Sequence, residues 1–133
     1  MSESFEAARP VGRSLPNNME DEESLIACCI MDGADVIARC VLAGVSPMSF
    51  YESKHATVFS VLLALYGDQK PIDIMSLASE LVTTRQLEAV GGHPFLSQVT
   101  QRITTTAHAG FFIEKVKQWA TLRETSKACT ASV

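Results

Sequence analysis

The sequence predicts an all-α fold, in which a compact helical bundle (the head) is followed by a C-terminal helical hairpin. Apolar residues recur at helical spacing through most of the chain, and glycine, proline and capping residues interrupt them at short intervals. At 133 residues the chain is expected to form one domain, large enough to bury about two-thirds of its unfolded surface without disulfides or metal. We expect the head at about residues 15–92 and the hairpin at about residues 93–124.

The first helix is expected to begin near Asn18, a residue type that caps helix N-termini well. Its first turn carries four acidic residues, 20–23, near the positive end of the helix dipole. A site for a metal ion or a basic partner is the alternative for this acidic cluster. The helix ends at Asp32-Gly33, and a shorter helix over 35–43 ends at Gly44.

The segment over residues 50–81 predicts two helices joined by a tight turn, and the rest of the chain is expected to cover this pair. The first of them is apolar nearly all round, which predicts a buried central helix that ends at Gly67. Asp73 is placed to cap the second helix. The buried stripe of that second helix is expected to contain Ile74, Leu77, Ala78, Leu81 and Val82.

Two glycines and a threonine triplet divide the rest of the chain. Gly91-Gly92 predicts a bend in which one or both residues have positive φ, or in which two backbones pass closely. Helical spacing returns over 94–102 and again from about Ala107 into the 120s, which predicts the hairpin helices. The triplet over 104–106 is β-branched and polar, so it is expected to connect them, and Thr106 is expected to cap the last helix.

The apolar surface of the last helix is wider than two projecting helices can bury alone, so a partner hairpin is expected to cover it. The residues expected at that interface are Phe111, Phe112, Val116 and Trp119. The alternative is that these side chains dock on the core of their own domain.

Composition argues against several classes of function. A net charge of −4 disfavours a domain that holds nucleic acid tightly by itself, because Lys and Arg supply most of such affinity. No apolar run approaches the roughly 18 residues of a membrane span, and the start lacks the order of a signal peptide. We therefore expect a cytoplasmic protein, with a disordered leader over residues 1–14, which have no hydrophobic period.

The four cysteines are expected to be reduced thiols that pack as small hydrophobic residues. Cys28 and Cys29 are adjacent, so on a helix they point about 100° apart. No pair of cysteines has the short gap that zinc sites use. A small helical enzyme or thiol redox protein that uses Cys28 and Cys29 is the alternative.

The sequence contains no catalytic constellation. It has no Gly-Lys dipeptide, which excludes a Walker A loop, and no Gly-x-Ser-x-Gly or His-Glu-x-x-His motif. His55, His93 and His108 have no cysteine or second histidine at ligand spacing, so packing or capping roles are expected for them. The residues alone thus predict an interaction module without catalytic, cofactor-binding or metal-binding residues.

The order of short motifs along the chain is more specific than any one of them. In chain order they are Leu15-Pro16, Met19-Glu20-x-Glu22, Ser24-Leu25, Met31-Asp32, Phe50-Tyr51 with His55 and Phe59, Pro71-Ile72-Asp73, Gly91-Gly92, Phe95-Leu96, and Phe112 with Val116 and Arg123. This series resembles the N-terminal domain of the bacterial replicative DNA helicase, the DnaB family, from Leu15 to about Glu124. Asp21, Ala27 and His108 stand where that family usually has alanine, glycine and asparagine.

The resemblance implies a non-catalytic domain that assembles subunits and docks partners. In the family, hairpins of neighbouring subunits pair, and the domains form a collar over a hexameric ring of motor domains that bind ATP and Mg²⁺. The implied partners are a second copy of the chain, the primase, a helicase loader and, weakly or through the full ring, single-stranded DNA. Primase contact is expected on the hairpin and its loop, which is formed by Thr104, Thr105 and Thr106.

Two points stay open at the level of the sequence. A free-standing adaptor or regulator that borrows this head to cap a helicase is the alternative function. The Ser/Thr/Ala-rich tail over 125–133 is expected either to begin a linker to the motor domain or to be an arbitrary end.

Overall fold

A computed structural model describes the backbone of residues 18–131 and the side chains of residues 18–125. Within this part of the chain there are six α-helices and no strand, so the predicted all-α class is confirmed. The helices are α1 (Met19–Asp32), α2 (Ala34–Ala43), α3 (Ser53–Gly67), α4 (Ile74–Thr83), α5 (Gly92–Thr100) and α6 (Ala109–Ala131). A 3₁₀ turn, Pro47–Ser49, precedes α3. The predicted leader over 1–14 lies outside the described residues.

Several helix boundaries follow from local chemistry, as the sequence predicts. The side chain of Asn18 accepts a hydrogen bond from the backbone N–H of Asp21 at 3.0 Å, and that of Asp73 accepts one from Ser76 at 2.8 Å. Gly44 follows α2 in the left-handed conformation, with φ of 90°. After α3 the left-handed residue is Gln69, with φ of 58°, whereas Gly67 is the last residue of the helix itself.

The helix with the most continuous burial is α1. Every residue from Glu22 to Ile30 is buried, because α2, α3, α5 and α6 all pack against it. The sequence predicts α3 as the central helix. This helix is indeed packed against α1, α2, α4 and the 3₁₀ turn, but it shares the centre with α1. Each fully buried Leu or Ile in this core contributes on the order of 1.5–3 kcal/mol of burial free energy.

The last two helices differ in arrangement from a projecting hairpin. α5 packs against α1 and α4, and α6 packs against α1, α2 and the 3₁₀ turn. Within the described residues, α5 and α6 share no extended contact. Both helices therefore pack on the bundle.

The final helix is longer than the sequence predicts. It begins at Ala109 rather than Ala107, and its backbone stays helical to Ala131, so the expected linker start at Thr125 falls within it. The physical reason is that no glycine or proline occurs after Gly110 to end the helix. None of the helices in residues 18–131 is long and apolar enough to cross a membrane.

The glycine pair before α5 confirms the predicted bend. Gly91 has φ of 107° and Gly92 has φ of 71°, so both occupy the region that favours glycine. A Cβ atom added at Gly91 would lie 2.8 Å from the Cβ of Phe95. The bend thus needs glycine at residue 91 for two reasons, the backbone conformation and the close approach of α5.

Candidate protein interface on helix α6

Helix α6 has one buried face and one exposed stripe. Its buried face, which rests on the bundle, is formed by Ala109, Ile113, Val116 and Arg123. On the opposite side lie Phe111, Lys115, Gln118 and Leu122, which are spaced four, three and four residues apart and so share one side of the helix. We call these four residues the α6 outer stripe.

The outer stripe exposes two large apolar side chains. Phe111 retains 55% of its surface and Leu122 retains 48%. The ammonium group of Lys115 lies 5.6 Å from the centroid of the Phe111 ring, a cation–π distance, so a charged group borders the aromatic ring. Phe111 and Leu122 lie about 16 Å apart along the helix, so they are two separate apolar side chains on one exposed face.

The four predicted interface residues occupy different environments. Phe111 is exposed, as an interface residue should be, and its ring meets the edge of the Phe112 ring at a centroid distance of 5.5 Å. Phe112 and Trp119 are half-buried. Val116 is not available to an interface, contrary to the prediction, because its side chain is 0% exposed and belongs to the core of its own chain.

The predicted interface residues do not include Gln118 and Leu122, which are exposed on the same side of the helix as Phe111. The signal for them was present, since they follow Phe111 at seven and eleven residues, on the same side of a helix. That side was not distinguishable from the buried side, because both carry large apolar residues.

Three contacts hold α6 on the bundle and thereby orient the outer stripe. The indole N–H of Trp119 donates to Oδ2 of Asp21 on α1 at 3.2 Å. Nη2 of Arg123 donates to the backbone carbonyl of Ser49, and its guanidinium carbon lies 5.7 Å from the Tyr51 ring centroid. At the other end of the helix, a Cβ atom at Gly110 would lie 3.0 Å from Nη2 of Arg39, so α2 approaches α6 closely there.

The predicted primase-contact loop lies directly before α6. Thr104 and Thr105 are exposed and Thr106 is half-buried. The hydroxyl of Thr105 accepts a hydrogen bond from the backbone N–H of Ala107 at 3.1 Å. For Thr106, the backbone carbonyl accepts from the N–H of Ala109 at 3.0 Å, whereas the sequence predicts a side-chain cap.

Two carboxylates of the acidic cluster at the start of α1, Glu22 and Glu23, face the inside of the protein. The carboxylate of Glu22 is buried and accepts hydrogen bonds from the backbone N–H groups of Tyr51 at 2.7 Å and Glu52 at 3.3 Å. It also lies 2.7 Å from Nδ1 of His55. Because those N–H groups belong to the start of α3, Glu22 caps that helix from a distant part of the chain.

The neighbouring carboxylate, Glu23, has a different partner. Both Nε and Nη2 of Arg102 lie 2.9 Å from its Oε1, and Nε2 of His55 lies 3.5 Å from its Oε2. In the described residues no three His, Cys, Asp or Glu side chains are arranged to hold a metal ion. The carboxylates of Glu22 and Glu23 thus bind groups of the same chain.

Three of the four cysteines are fully buried and form no disulfide, namely Cys28, Cys29 and Cys40. The side chain of Cys129 lies outside the described residues. Burial, and then the neighbouring Cys40, raise the pKa of Cys28 to about 11. A hydrogen bond to Cys40, and then burial, raise the pKa of Cys29, while that bond lowers the pKa of Cys40. An enzyme nucleophile needs an accessible thiolate, so this arrangement argues against the thiol enzyme.

Comparison with known protein families adds the decisive observation. A family model described as the DnaB-like helicase N terminal domain matches residues 14–118 of this chain. The chain belongs to this family. The resemblance that the ordered motifs predict is thus confirmed, and the helical bundle is a DnaB-type N-terminal domain.

Individual relatives agree with the family. The DnaB-type domain is 32% identical to the replicative DNA helicase DnaB of Mycobacterium leprae over 122 residues, and 25% identical to that of Geobacillus stearothermophilus over 131 residues. These matches include 92% and 98% of this chain but 20% and 27% of the relatives. The chain thus spans about a quarter or less of the length of these helicases.

The fold has a solved counterpart. The crystal structure of the N-terminal domain of DnaB helicase from Mycobacterium tuberculosis matches with a TM-score of 0.82 and 31% sequence identity. The match covers 89% of this chain and 84% of the solved chain. The all-α bundle described above is therefore the fold of that domain.

Proposed function

We propose that this DnaB-type domain is a non-catalytic assembly and docking domain of a cytoplasmic replicative helicase. Its family membership supports the helicase context. The sequence has no Gly-Lys dipeptide and therefore no Walker A loop, which supports binding of ATP and Mg²⁺ by a separate motor domain rather than by this chain. Within this division, the domain pairs subunits in a hexameric ring and receives the primase.

The observation that carries the pairing role is the α6 outer stripe. Phe111 and Leu122 are large, apolar and about half exposed on a helix that is otherwise fixed to the bundle. A second copy of the chain is the occupant we favour, because antiparallel α6 helices would set Phe111 of each copy against Leu122 of the other. Such a two-fold contact is self-complementary, as dimer interfaces require.

The pairing role is testable by sedimentation of two double variants at tens of micromolar. Phe111→Ser with Leu122→Ser removes the apolar pair of the outer stripe, and we expect it to weaken self-association by about tenfold or more. Met75→Ser with Val82→Ser is the matched control, since those residues are 78% and 57% exposed on α4. The control should associate like the unaltered chain.

Two results count against the pairing role. One is an unaltered chain that remains monomeric throughout this concentration range, and the other is equal association by the two double variants. Circular dichroism on each variant is needed to establish that the helical bundle is retained.

The docking role is tested by calorimetric titration with the C-terminal domain of the primase from the same organism. The loop over 104–106 is exposed and adjoins the first turn of α6, so a partner bound there also reaches Phe111. We expect saturable micromolar binding that weakens in a variant with Thr104→Ala and Thr105→Ala. Unchanged affinity in this variant would assign the contact to another surface. If the chain self-associates but does not bind the primase domain, ring assembly would remain as the function of this domain.

A further inference from the structure

The last turns of α1 and α2 each carry a fully buried cysteine, and the two thiols contact each other. Cys29 and Cys40 are both 0% exposed, and a hydrogen bond joins their sulfur atoms. Gly33 is the single residue between the two helices, and its φ of 66° lets the chain fold back so that α2 packs against α1. Two thiols in contact are the arrangement from which a disulfide needs the least movement of the backbone.

The backbone of each cysteine is held in place independently of its side chain. The carbonyl group of Cys29 accepts a hydrogen bond from the N–H of Gly33 at 2.9 Å, and that of Cys40 accepts one from the N–H of Val45 at 2.9 Å. These bonds close the C-terminal ends of α1 and α2. The two sulfur atoms can therefore approach bonding distance mainly by rotation about the Cα–Cβ bonds, while both helix ends keep their hydrogen bonds.

Cys28 is also buried, but its relation to Cys40 is different. On a helix its side chain points about 100° away from that of Cys29. Burial and then the charge of Cys40 raise the pKa of Cys28, whereas a hydrogen bond to Cys40 is the main cause of the raised pKa of Cys29. Among the cysteines whose side chains the structure describes, Cys29 is thus the direct neighbour of Cys40.

The same hydrogen bond prepares Cys40 to react. It lowers the pKa of Cys40, while burial acts in the opposite direction and the charge of the neighbouring Arg39 lowers the pKa further. The thiolate is the form of cysteine that reacts with oxidants, so the sulfur of Cys40 is expected to react first. Cys29 then lies in contact with the oxidised sulfur, in the position of a resolving cysteine.

We propose that Cys29 and Cys40 form an oxidation site at which hydrogen peroxide converts the two thiols into an intrachain disulfide. In the first step the Cys40 thiolate attacks one peroxide oxygen, so that an S–O bond forms and the O–O bond breaks. The hydroxide that leaves takes up the proton released by the Cys40 thiol. In the second step the sulfur of Cys29 attacks that of Cys40, the S–S bond forms, and hydroxide leaves with the Cys29 proton as water. The two sulfurs lose two electrons, which reduce one peroxide to two molecules of water.

Because the site is buried, the oxidant reaches it when α2 opens locally. This helix has ten residues, lies between Gly33 and Gly44, and has an exposed outer side. A short helix at the surface opens at a lower cost in free energy than the unfolding of the whole domain. Hydrogen peroxide is little larger than water, so a small opening is sufficient. Burial therefore slows the oxidation, whereas the contact between the two sulfurs determines its product.

The direct test is peptide mapping of the full chain after native incubation with graded concentrations of hydrogen peroxide, with the remaining thiols blocked before digestion. Trypsin separates the two cysteines because it cleaves after Arg39, which places Cys29 in the peptide 14–39 and Cys40 in the peptide 40–54. We expect these peptides to be joined with the loss of two hydrogen atoms, and to separate after treatment with a dithiol. Peptides that stay unlinked at every concentration would overturn the proposal.

Cys28 is the matched control for Cys29, because it is buried on the same peptide one residue away. Fragmentation of the linked peptides between these two residues should place the bond at Cys29. Cys28→Ala should form linked peptides like the unaltered chain, and Cys29→Ala should lose them. In guanidinium chloride this difference should vanish, since either remaining cysteine can then reach Cys40.

Circular dichroism establishes that both variants keep the helical bundle before they are oxidised. Fragmentation of the unaltered chain does not depend on the variants and assigns the bond by itself. A bond at Cys28 in the folded chain, or equal linkage by the two folded variants, would overturn the proposal.

Discussion

The indole N–H of Trp119 donates a hydrogen bond at 3.2 Å to Oδ2 of Asp21, a residue 98 positions earlier in the chain. This contact joins the last helix to the first turn of α1. It gives Trp119 a structural role in its own chain, whereas the sequence predicts an interface residue.

Replacing Trp119 by Phe should keep most of the ring packing and remove this hydrogen bond. We expect a loss of about 1 kcal/mol in the free energy of unfolding, the usual net value of one hydrogen bond. Chemical denaturation followed by circular dichroism measures it, since Trp119 is the sole tryptophan and its fluorescence is lost. In a double-mutant cycle with Asp21→Ala, a coupling energy near zero would contradict the contact.

A second prediction concerns the buried carboxylate of Glu22. In Glu22→Gln, the NH₂ group of the amide replaces one of the two carboxylate oxygens. The backbone N–H groups of Tyr51 and Glu52 and the ring of His55 all contact these oxygens, so at least one of them loses its acceptor. We expect a loss of about 2–4 kcal/mol in unfolding free energy. Glu20→Gln is the matched control on the exposed side of the same turn and should change stability by no more than about 0.5 kcal/mol.

Equal effects of the Glu22 and Glu20 substitutions would mean that this carboxylate does not hold the start of α3. Hydrogen exchange at the amides of Tyr51 and Glu52 provides an independent check, since both amides should exchange faster in Glu22→Gln than in Glu20→Gln.

A third prediction separates the buried from the exposed side of α6. Val116→Asp buries an unpaired charge, and we expect it to unfold the domain or to cost more than about 3 kcal/mol. Phe111→Asp changes an exposed side chain and should leave the bundle folded. Phe112→Asp should be intermediate, because that ring is half-buried against the core. The thermal unfolding midpoints of the three variants measure this order of stability. A stable Val116→Asp variant would contradict the placement of this helix.

A fourth prediction concerns the bend before α5. Gly91→Ala forces a Cβ atom into a backbone with φ of 107° and to 2.8 Å from the Cβ of Phe95, so we expect a loss of about 2–4 kcal/mol. Gly67→Ala is the control. It lies at the end of α3 with no atom within 4 Å of an added Cβ, and it should be neutral or slightly stabilising. Similar unfolding midpoints for both variants would refute the strain at Gly91.

A fifth prediction follows from the raised pKa of Cys28. The unfolded thiol ionises at its ordinary pKa of 9.0, whereas the folded one has a pKa of about 11. As the pH rises above 9, the unfolded chain releases this proton first, so stability falls until the folded thiol also ionises near pH 11. The Cys28→Ala variant should lose less stability over this range than the unaltered chain, by up to about 2 kcal/mol. Parallel losses in the two proteins would rule out ionisation of Cys28 as the cause.

The features that the sequence predicts well depend on neighbours along the chain. Asn18 and Asp73 cap their helices through bonds to backbone groups three residues away, and Gly44 and Gly91 take the positive φ for which glycine is suited. Periodicity also predicts the helical class, because each helix needs one apolar face whatever covers it.

The features that the sequence does not predict depend on distant partners. Glu22 lies 33 positions from His55, and nothing local distinguishes it from an exposed carboxylate at a helix start. Val116 and Phe111 are both apolar residues on the same helix, and only the packing of α6 against α1 decides which of them is buried. For the same reason, an apolar pattern over residues 93–124 predicts two helices but not whether they pair with each other or with α1.

The acidic start of α1 also has a consequence during synthesis of the protein on the ribosome. Asp21, Glu22 and Glu23 emerge early, but their partners are at residues 51–55, at Arg102 and at Trp119. Until those segments have been synthesised, these three adjacent carboxylates lack the partners that they have in the folded domain. The native contacts of this helix start are therefore complete only once α6, which carries Trp119, is present.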